Sequence, residues 1–388
     1  MIRDAALLDA LLADIRTFVR GRWHPLEEQV DRSGEIPPEV VDELRSKGYF
    51  GWSIPQAYGG LGLTAEELVL CAMELSQASV ALRARVGTNT GIGSEALVAD
   101  GTEAQKTLWL PRMARGELTG CLALTEPEAG SEATNVQTTA RRDGDDFILD
   151  GTKRFITNAP VADLFTVLAR TEEGTRGSAG LSAFIVERST LGLRTGDPYR
   201  KMGQAGSPVS DVHFEDCRVP AANIIGGREG VGFQTVMKVL NKQRLHLAAL
   251  CTGPAIRMLD LAIAHTQQRR QFGQPVAGFQ LVQAMIADCR TEIFAARSMI
   301  LEGARARDRG EDVALSASMC KYFASEMCGR VADRCVQMFG GSGYVADFSP
   351  IERYYRDVRL FRLYEGTSQI HQVNIAKLTL REHGTVPQ

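Results

Sequence analysis

An excess of charge of either sign is missing from this chain: 44 basic residues nearly balance 47 acidic ones, leaving a formal charge of -3. That balance removes any general case for a nucleic-acid or anionic-membrane surface. No run of 18 uninterrupted apolar residues occurs, so no membrane-spanning helix is expected. The opening Met1-Ile2-Arg3-Asp4-Ala5-Ala6 runs into an amphipathic segment holding Asp9 and Asp14. That is neither a signal peptide nor an acid-poor transit peptide, and a soluble, cytoplasmic protein is the expectation. Cysteine pairs are also lacking: Cys71, Cys121, Cys217, Cys251, Cys289, Cys320, Cys328 and Cys335 include no Cys-x-x-Cys, and several fall on apolar helical stripes. Reduced, buried thiols are expected rather than disulfides or zinc ligands. The histidines are scattered without a His-Glu-x-x-His, so no metal site is expected. The glycine clusters at Gly59-Gly60-Leu61-Gly62, at Gly226-Gly227 with Gly230 and Gly232, and at Gly340-Gly341 with Gly343 complete neither a Gly-x-Gly-x-x-Gly fingerprint nor a P-loop.

What is present is a change of period along the chain. Its 388 residues suffice for two or three structural regions with large cores. Residues 1–120 read as an N-terminal helical domain. Leu7, Leu11, Ile15 and Phe18 form one stripe, Val40, Val41 and Leu44 another, and Glu66 to Leu75 a third, with Pro37-Pro38 marking a helix entry. Over 121–232 the period shortens. Phe147-Ile148-Leu149, Asp163 to Leu168, Ala183 to Val186 and Val212 to Phe214 are strand-like, with turn signals at Asp143-Gly144, Asp150-Gly151 and Gly192. Because no strand alternates with a crossover helix, this middle β domain is expected to be antiparallel. From 233 to 388 helices return: Val282, Ile286, Cys289, Ile293, Ala296 and Ile300 make one long stripe, and Cys320, Ala324, Met327, Val331, Cys335 and Met338 a second, stopped at Gly340-Gly341. An α+β protein ending in an antiparallel helical bundle is the expected fold class.

Four stretches carry polar residues that packing does not require. Leu122-Ala123-Leu124-Thr125-Glu126-Pro127-Glu128-Ala129-Gly130-Ser131 runs from an apolar segment into a small-residue turn. Arg154-Phe155-Ile156-Thr157-Asn158 sets an aromatic and a hydroxyl two residues apart, on one face of a strand. Arg269-Arg270-Gln271-Phe272-Gly273 is a basic cluster ending a helix. Tyr364-Glu365-Gly366-Thr367-Ser368-Gln369-Ile370 joins two helix-like segments, Arg353 to Leu363 and one with the stripe Ile370, Val373 and Ala376. Thr367 or Ser368 suits an N-cap there, so Glu365 would sit at a corner near the positive end of the following helix, which favours its ionised form. Each stretch read singly also has an ordinary structural reading: a strand-to-turn junction, a hairpin strand, a solvated helix end, a solvated loop carboxylate.

Together, in this order and over essentially the whole chain, these stretches resemble the acyl-CoA dehydrogenase family of flavoproteins. Leu124 to Ser131 is similar to its first signature and Gln337-Met338-Phe339-Gly340-Gly341-Ser342-Gly343-Tyr344 to its second; Arg269, Phe272, Gly273, Gln280 and Tyr364 to Ser368 complete the match. The resemblance implies an N-terminal helical domain, a middle β domain and a C-terminal four-helix bundle, with FAD held at their junction. It implies that Glu365 removes the α-proton of an acyl-CoA thioester while the β-hydrogen leaves as hydride to the flavin N5, the enolate oxygen being met by a backbone N–H at the base and a ribityl hydroxyl. By the same resemblance Leu122, Leu124 and Thr125 line the flavin, Phe155 and Thr157 cover it, and Gly130 and Ser131 reach the FAD phosphate, Ser131 or the CoA. Arg269, Phe272, Gln280, Gln337, Gly340 and Gly341 would meet the FAD of a neighbouring subunit in a homotetramer, while Thr367 and Gln369 bind FAD from the last helix. Asn241, Arg244 and Gly366 fall at the substrate. An electron-transfer flavoprotein is the implied electron acceptor, and fatty-acid β-oxidation the implied pathway.

The chain departs from the family pattern in places. Glu132 stands for the usual Asp, Phe155 for the commoner Trp, and Asn241 for a frequent Asp, and one extra residue falls between Gly343 and Arg353. A short-to-medium or branched acyl chain is the default substrate. Arg83, within the Ser79 to Gly93 segment at the far end of the pocket, stands about where glutaryl-CoA dehydrogenases hold a distal carboxylate, although that arginine could equally face solvent or a subunit surface. The alternatives are a DNA-binding flavoprotein or an oxidase, both sharing this architecture, and a non-catalytic acyl-CoA carrier or scaffold. The first of these relies on a basic surface that this composition does not offer.

Overall fold

The computed structural model describes residues 1–384, so the end of the region expected to reach 388 lies outside the described residues. Seven α-helices come first: α1 (Ala5–Phe18), α2 (Glu27–Ser33), α3 (Pro38–Ser46), α4 (Ala65–Leu75), α5 (Val80–Gly87), α6 (Glu95–Asp100) and α7 (Glu103–Ala114). Their starts are written locally. Thr64 and Glu67 close a reciprocal capping box at α4, and Thr102 and Gln105 do the same at α7. The α1 stripe differs from expectation by one position: Leu8, Ile15 and Phe18 are buried, whereas Leu7 is exposed. Leu7 sits beside the Asp4 cap, and its amide is donated to that carboxylate.

Strands β1 (Gly120–Ala123), β2 (Thr139–Asp143), β3 (Asp146–Thr157), β4 (Leu164–Arg170), β5 (Leu181–Glu187), β6 (Leu193–Thr195) and β7 (Val209–Pro220) form one seven-stranded sheet. It is mixed rather than purely antiparallel. β1 runs parallel to β4, pairing Gly120 with Leu164 and Ala123 with Val167, and β2 touches β4 in parallel at Thr139 and Arg170. The β2–β3 hairpin supplies the crossover, bringing the chain back beside β1 in the same direction with only a single 3-10 turn at Ala159–Val161 in place of an α-helix. The remaining pairs are antiparallel, as the turn signals imply. The longest antiparallel pair, β3 with β7, carries two register breaks, one of them between Lys153 and Ile156.

Beyond the sheet, α8 (Gly232–Gln268) leads through a short hairpin of β8 (Arg270–Gln271) and β9 (Gln274–Pro275) into α9 (Gln280–Asp308) and α10 (Ala314–Phe339). Then follow α11 (Gly341–Tyr344), α12 (Ile351–Val358) and α13 (Ser368–Glu382). By length and composition α8 is apolar enough to cross a membrane, yet most of it is buried as the central helix of the bundle. The stripe from Cys289 to Ile300 on α9 and the stripe from Cys320 to Met338 on α10 face this core, and all eight cysteines are buried free thiols. α13 behaves differently: only Ser368 and His371 are buried, and Val373 is 52% exposed, so the expected inward stripe of Ile370, Val373 and Ala376 does not enter the core.

The cores interlock across the sequence regions. Val69, Ala72 and Met73 of α4 belong to the bundle core, and Leu97, Trp109 and Met113 of α6 and α7 pack with β4, β5 and the start of α8. Glu27 is the polar counterpart of this interlock. Its buried carboxylate accepts from the Ser79 amide at 2.5 Å, from Arg353 Nη2 at 2.6 Å and from the Tyr354 hydroxyl at 3.3 Å, tying α2 to the N-cap of α5 and to α12. Removing one member of a buried pair leaves the other charge uncompensated. Glu27→Ala is therefore expected to lower unfolding stability by about 3–5 kcal/mol, measured by urea denaturation; a loss below about 1 kcal/mol, the worth of an exposed pair, would contradict that role.

Candidate functional site

A cavity of about 650 Å³ opens where α5, the first turns of α8, the ends of β1 and β3, and the corner before α13 meet. Glu365 stands on that corner with φ +52° and is followed by Gly366 at φ +92°. Left-handed backbone at a residue other than glycine is costly and persists only where its surroundings hold it. Here the next helix starts at once: the Thr367 hydroxyl caps α13, accepting from the Ile370 amide at 3.2 Å. A Cβ on Gly366 would lie 2.9 Å from the His371 ring, so the corner has no room for a side chain there.

The Glu365 side chain is half-buried, with Oε2 sealed from solvent and without a hydrogen-bond partner. Burial pushes its carboxyl above the ordinary range; Arg83, Lys321 and Arg244 pull it back, in that order, without cancelling the burial. Glu365 does stand just before the capped start of α13, as expected, but burial and the three cations also act on its carboxyl.

Arg83 faces the cavity rather than solvent, with its Nε buried and unpartnered. It can lie flat along α5 because residue 87, one turn on, is glycine, whose Cβ would come within 3.2 Å of that Nε. Arg244 also lines the cavity, and its Nη1 donates to Asn241 Oδ1 at 2.7 Å. Asn241 itself does not line the cavity and meets it through Arg244. On the sheet side Leu122, Leu124, Thr125, Gly130, Ser131, Phe155 and Thr157 all border the same space. Phe155 is 62% exposed and adopts φ +59° at the register break in β3, which turns its ring outward from the sheet. Glu126, in the first of these stretches, serves the scaffold instead. It is buried and accepts from Lys153 Nζ at 2.7 Å and from the Gln137 and Thr138 amides.

Other expected residues lie elsewhere. Thr367 is occupied as the α13 cap, Gln369 is exposed on that helix, and neither lines the cavity. Arg269, Phe272, Gln280, Gln337, Gly340 and Gly341 gather around the ends of α8, α9 and α10, where His265 stacks on Phe339 at 4.2 Å, outside the cavity of their own chain. Gln243, Asn374 and Lys377, which sequence reasoning missed, line it as well, together with Tyr364 and Ile370 from the stretch around Glu365. Ile370, Asn374 and Lys377 follow i, i+4, i+7 spacing and so share one helix face, a signal hidden by its mixed polarity. Gln243, inside a long helix and flanked by Lys242 and Arg244, carried no such signal.

The wall suits FAD. A tricyclic ring needs apolar cover with a few polar groups at its edge, and the outward Phe155 ring, Leu122, Leu124 and the Thr125 and Thr157 side chains border one continuous space with Glu365.

Known proteins match along the whole length. The acyl-CoA dehydrogenase N-terminal domain matches residues 8–117, the middle domain 121–217 and the C-terminal domain 230–380. A 3-(aryl)acrylate reductase of Clostridium sporogenes is 40% identical over 94% of this chain and 96% of its own. The caffeyl-CoA reductase-Etf complex subunit CarC of Acetobacterium woodii is 37% identical over 92% of this chain and 93% of its own. The butyryl-CoA dehydrogenase structure from Megasphaera elsdenii superposes with a TM-score of 0.94 at 32% identity, covering 98% of this chain and all of that one.

Phe155→Gly separates strain from function. Relief of a left-handed non-glycine residue is worth about 1 kcal/mol, so the apoprotein is expected to melt no lower than wild type, while the FAD retained per subunit after gel filtration falls. Unchanged FAD retention would remove Phe155 from the flavin wall.

Proposed function

The chain belongs to the acyl-CoA dehydrogenase family, and from that membership we propose that it interconverts an acyl-CoA thioester and its trans-2-enoyl-CoA, with Glu365 as the base that takes the α-proton. One observation carries this reading: the Glu365 carboxylate, with an unpartnered buried oxygen, opens onto the same cavity as the Leu122, Phe155 and Thr157 wall. A thioester α-proton is acidic only when the enolate oxygen is met by a donor, and the Glu365 amide at a fixed left-handed corner suits that task. The carboxylate and that amide belong to one residue, so holding the corner aligns both. When bound, FAD supplies the acceptor for the β-hydrogen, which leaves as hydride.

Leu122, Leu124, Thr125, Gly130 and Ser131, with Phe155 and Thr157, would hold that cofactor, and Arg244 would sit beside the substrate. The exposed side chains of Phe272, Leu281 and Phe294 at the bundle surface support assembly into a homotetramer, in which Arg269, Gln280, Gln337 and Gly341 would reach the FAD of another copy. An electron-transfer flavoprotein is the proposed partner, in keeping with the Etf named with CarC. The net direction depends on that partner's potential, since proton and hydride transfer pass through the same transition state both ways. The reductase names among the relatives therefore weigh against assigning fatty-acid β-oxidation as the sole setting.

A short-to-medium or branched acyl chain remains the first reading of substrate. A second is favoured by Arg83: a half-buried guanidinium with a buried, unpartnered Nε bordering the cavity suits an acyl chain ending in a carboxylate, as in glutaryl-CoA.

Glu365→Gln is expected to keep its yellow FAD and to lose anaerobic bleaching by acyl-CoA by a factor on the order of 10²–10⁴; bleaching at the wild-type rate would remove Glu365 as the base. In wild type the bleaching rate should rise with pH as Glu365 ionises. Because burial raises its pKa, the rising limb lies above the ordinary carboxylate range. For the second reading, Arg83→Leu should weaken glutaryl-CoA at least about 30-fold, the loss of a charged partner, and leave butyryl-CoA nearly unaffected. Equal losses on both would assign Arg83 to the base rather than to a distal carboxylate.

A further inference from the structure

Among the three cations around Glu365, one is set apart by its surroundings. Arg83 and Arg244 line the cavity, where an entering acyl chain meets them. Lys321, on α10, has no exposed surface, and its Nζ donates to the Gly366 carbonyl at 2.6 Å. A buried ammonium is normally matched by an anion. The Glu326 carboxylate is engaged by the Ser368 hydroxyl at 2.5 Å and by Arg362 at 3.4 Å. Cys251, also close, is pushed up to about 12 by burial and stays a neutral thiol. Burial pulls the Lys321 pKa down, and Cys251, Glu365 and Glu326 push it back up; of these, Glu365 has a buried oxygen with no hydrogen-bond partner and belongs to the corner that Lys321 holds through Gly366.

The other side of the corner is held as well. His371 on α13 is buried, and its Nε2 lies 3.2 Å from the Glu365 carbonyl. Burial and the neighbouring Lys321 and Arg244 press that imidazole down to about 3, so it is neutral at physiological pH. A neutral ring can serve a carbonyl only by donating, which places the proton on Nε2 and leaves Nδ1 bare; Nδ1 indeed has no partner. The carbonyls of Glu365 and Gly366 are thus taken by one donor each, from opposite helices.

We infer that Lys321 is a positioning residue for the base: it holds the Gly366 carbonyl, and with it the left-handed corner, while serving as the fixed countercharge of Glu365. The inference rests on the reading of Glu365 as the base. The division of labour follows from placement. An acyl chain that excludes water strips solvation from Glu365 and opposes its ionisation, and it also contacts the two arginines. Lys321, bound to backbone behind the corner, keeps its place when the cavity fills. The groups facing Glu365 are then Arg83 from α5, Arg244 and Cys251 from α8, Lys321 from α10 and neutral His371 from α13.

Three variants of the FAD-loaded enzyme separate charge from hydrogen bond. Lys321→Gln retains a donor without charge, Lys321→Arg retains charge, and Lys321→Met retains neither. The measurements are anaerobic stopped-flow bleaching with butyryl-CoA and glutaryl-CoA against pH, and the infrared C=O stretch of protonated Glu365, identified by its absence in Glu365→Gln. Lys321→Gln should move both the kinetic limb and the infrared titration up by about one pH unit or more, the size of a lost neighbouring charge. Lys321→Arg should keep the limb near its wild-type position, and Lys321→Met should add a fall in the plateau rate of about tenfold or more, as misplacement does. An unmoved limb and infrared titration in Lys321→Gln would overturn the inference while leaving the base assignment intact. Failure of all three variants to fold would overturn it too, by making Lys321 a packing residue. Wild type that no acyl-CoA bleaches would instead defeat the functional reading beneath it.

Discussion

The left-handed corner at Glu365 and Gly366 is the constraint on which the rest of the structure depends. Of its two consecutive residues with positive φ, glycine adopts that backbone freely, whereas Glu365 carries a side chain and is costly there. Such a corner survives because helix α13 is capped immediately after it by Thr367, because His371 and Lys321 each take one of its carbonyls, and because residue 366 has no Cβ to strike His371. The gain is geometric. A carboxylate and a backbone N–H from the same residue are aimed from one rigid point, the kind of preorganisation that acid–base chemistry on a carbon acid requires.

The opposite wall is fixed by equally specific means. The β3 register break turns Phe155 out of the sheet, and buried Glu126, clamped by Lys153, holds the strand-to-turn segment from which Thr125 and Ser131 border the cavity. The floor comes from α5, whose N-cap Ser79 is tied to Glu27 and through it to Arg353 and Tyr354 on α12. Arg83 is therefore delivered to the cavity by a helix anchored to the element that precedes the Glu365 corner. Burial and charge then compete at Glu365, the proposed base: desolvation raises its pKa, and Arg83, Lys321 and Arg244 lower it without cancelling the burial.

Long periodic segments were the legible part of the fold. The α9 and α10 stripes and the β runs appear where their periods place them, because burial selects apolar residues at regular spacing. The parallel β1–β4 pairing was not legible: strand order is decided by long-range packing, and no local signal distinguishes a hairpin that also acts as a crossover. In the site, Glu365 and the flavin wall were reached through contiguous motifs. Gln243 and Lys321 were not, since each is a polar residue inside a long helix whose role exists only once distant segments meet. The orientation of Arg83 needed the cavity itself, and α13 misled because Val373 and Ala376 of its stripe are exposed while Ile370 borders the cavity.

The central claim, that Glu365 removes a proton from the carbon next to the thioester, is tested most directly without any net oxidation. 3-Thiabutanoyl-CoA has no β-hydrogen to lose, so its α-protons report the base alone. Incubated with the FAD-loaded enzyme in D₂O and followed by NMR, its α-position is predicted to exchange with solvent deuterium in wild type and to remain protonated in Glu365→Gln. Exchange at equal rates in both proteins would contradict the assignment.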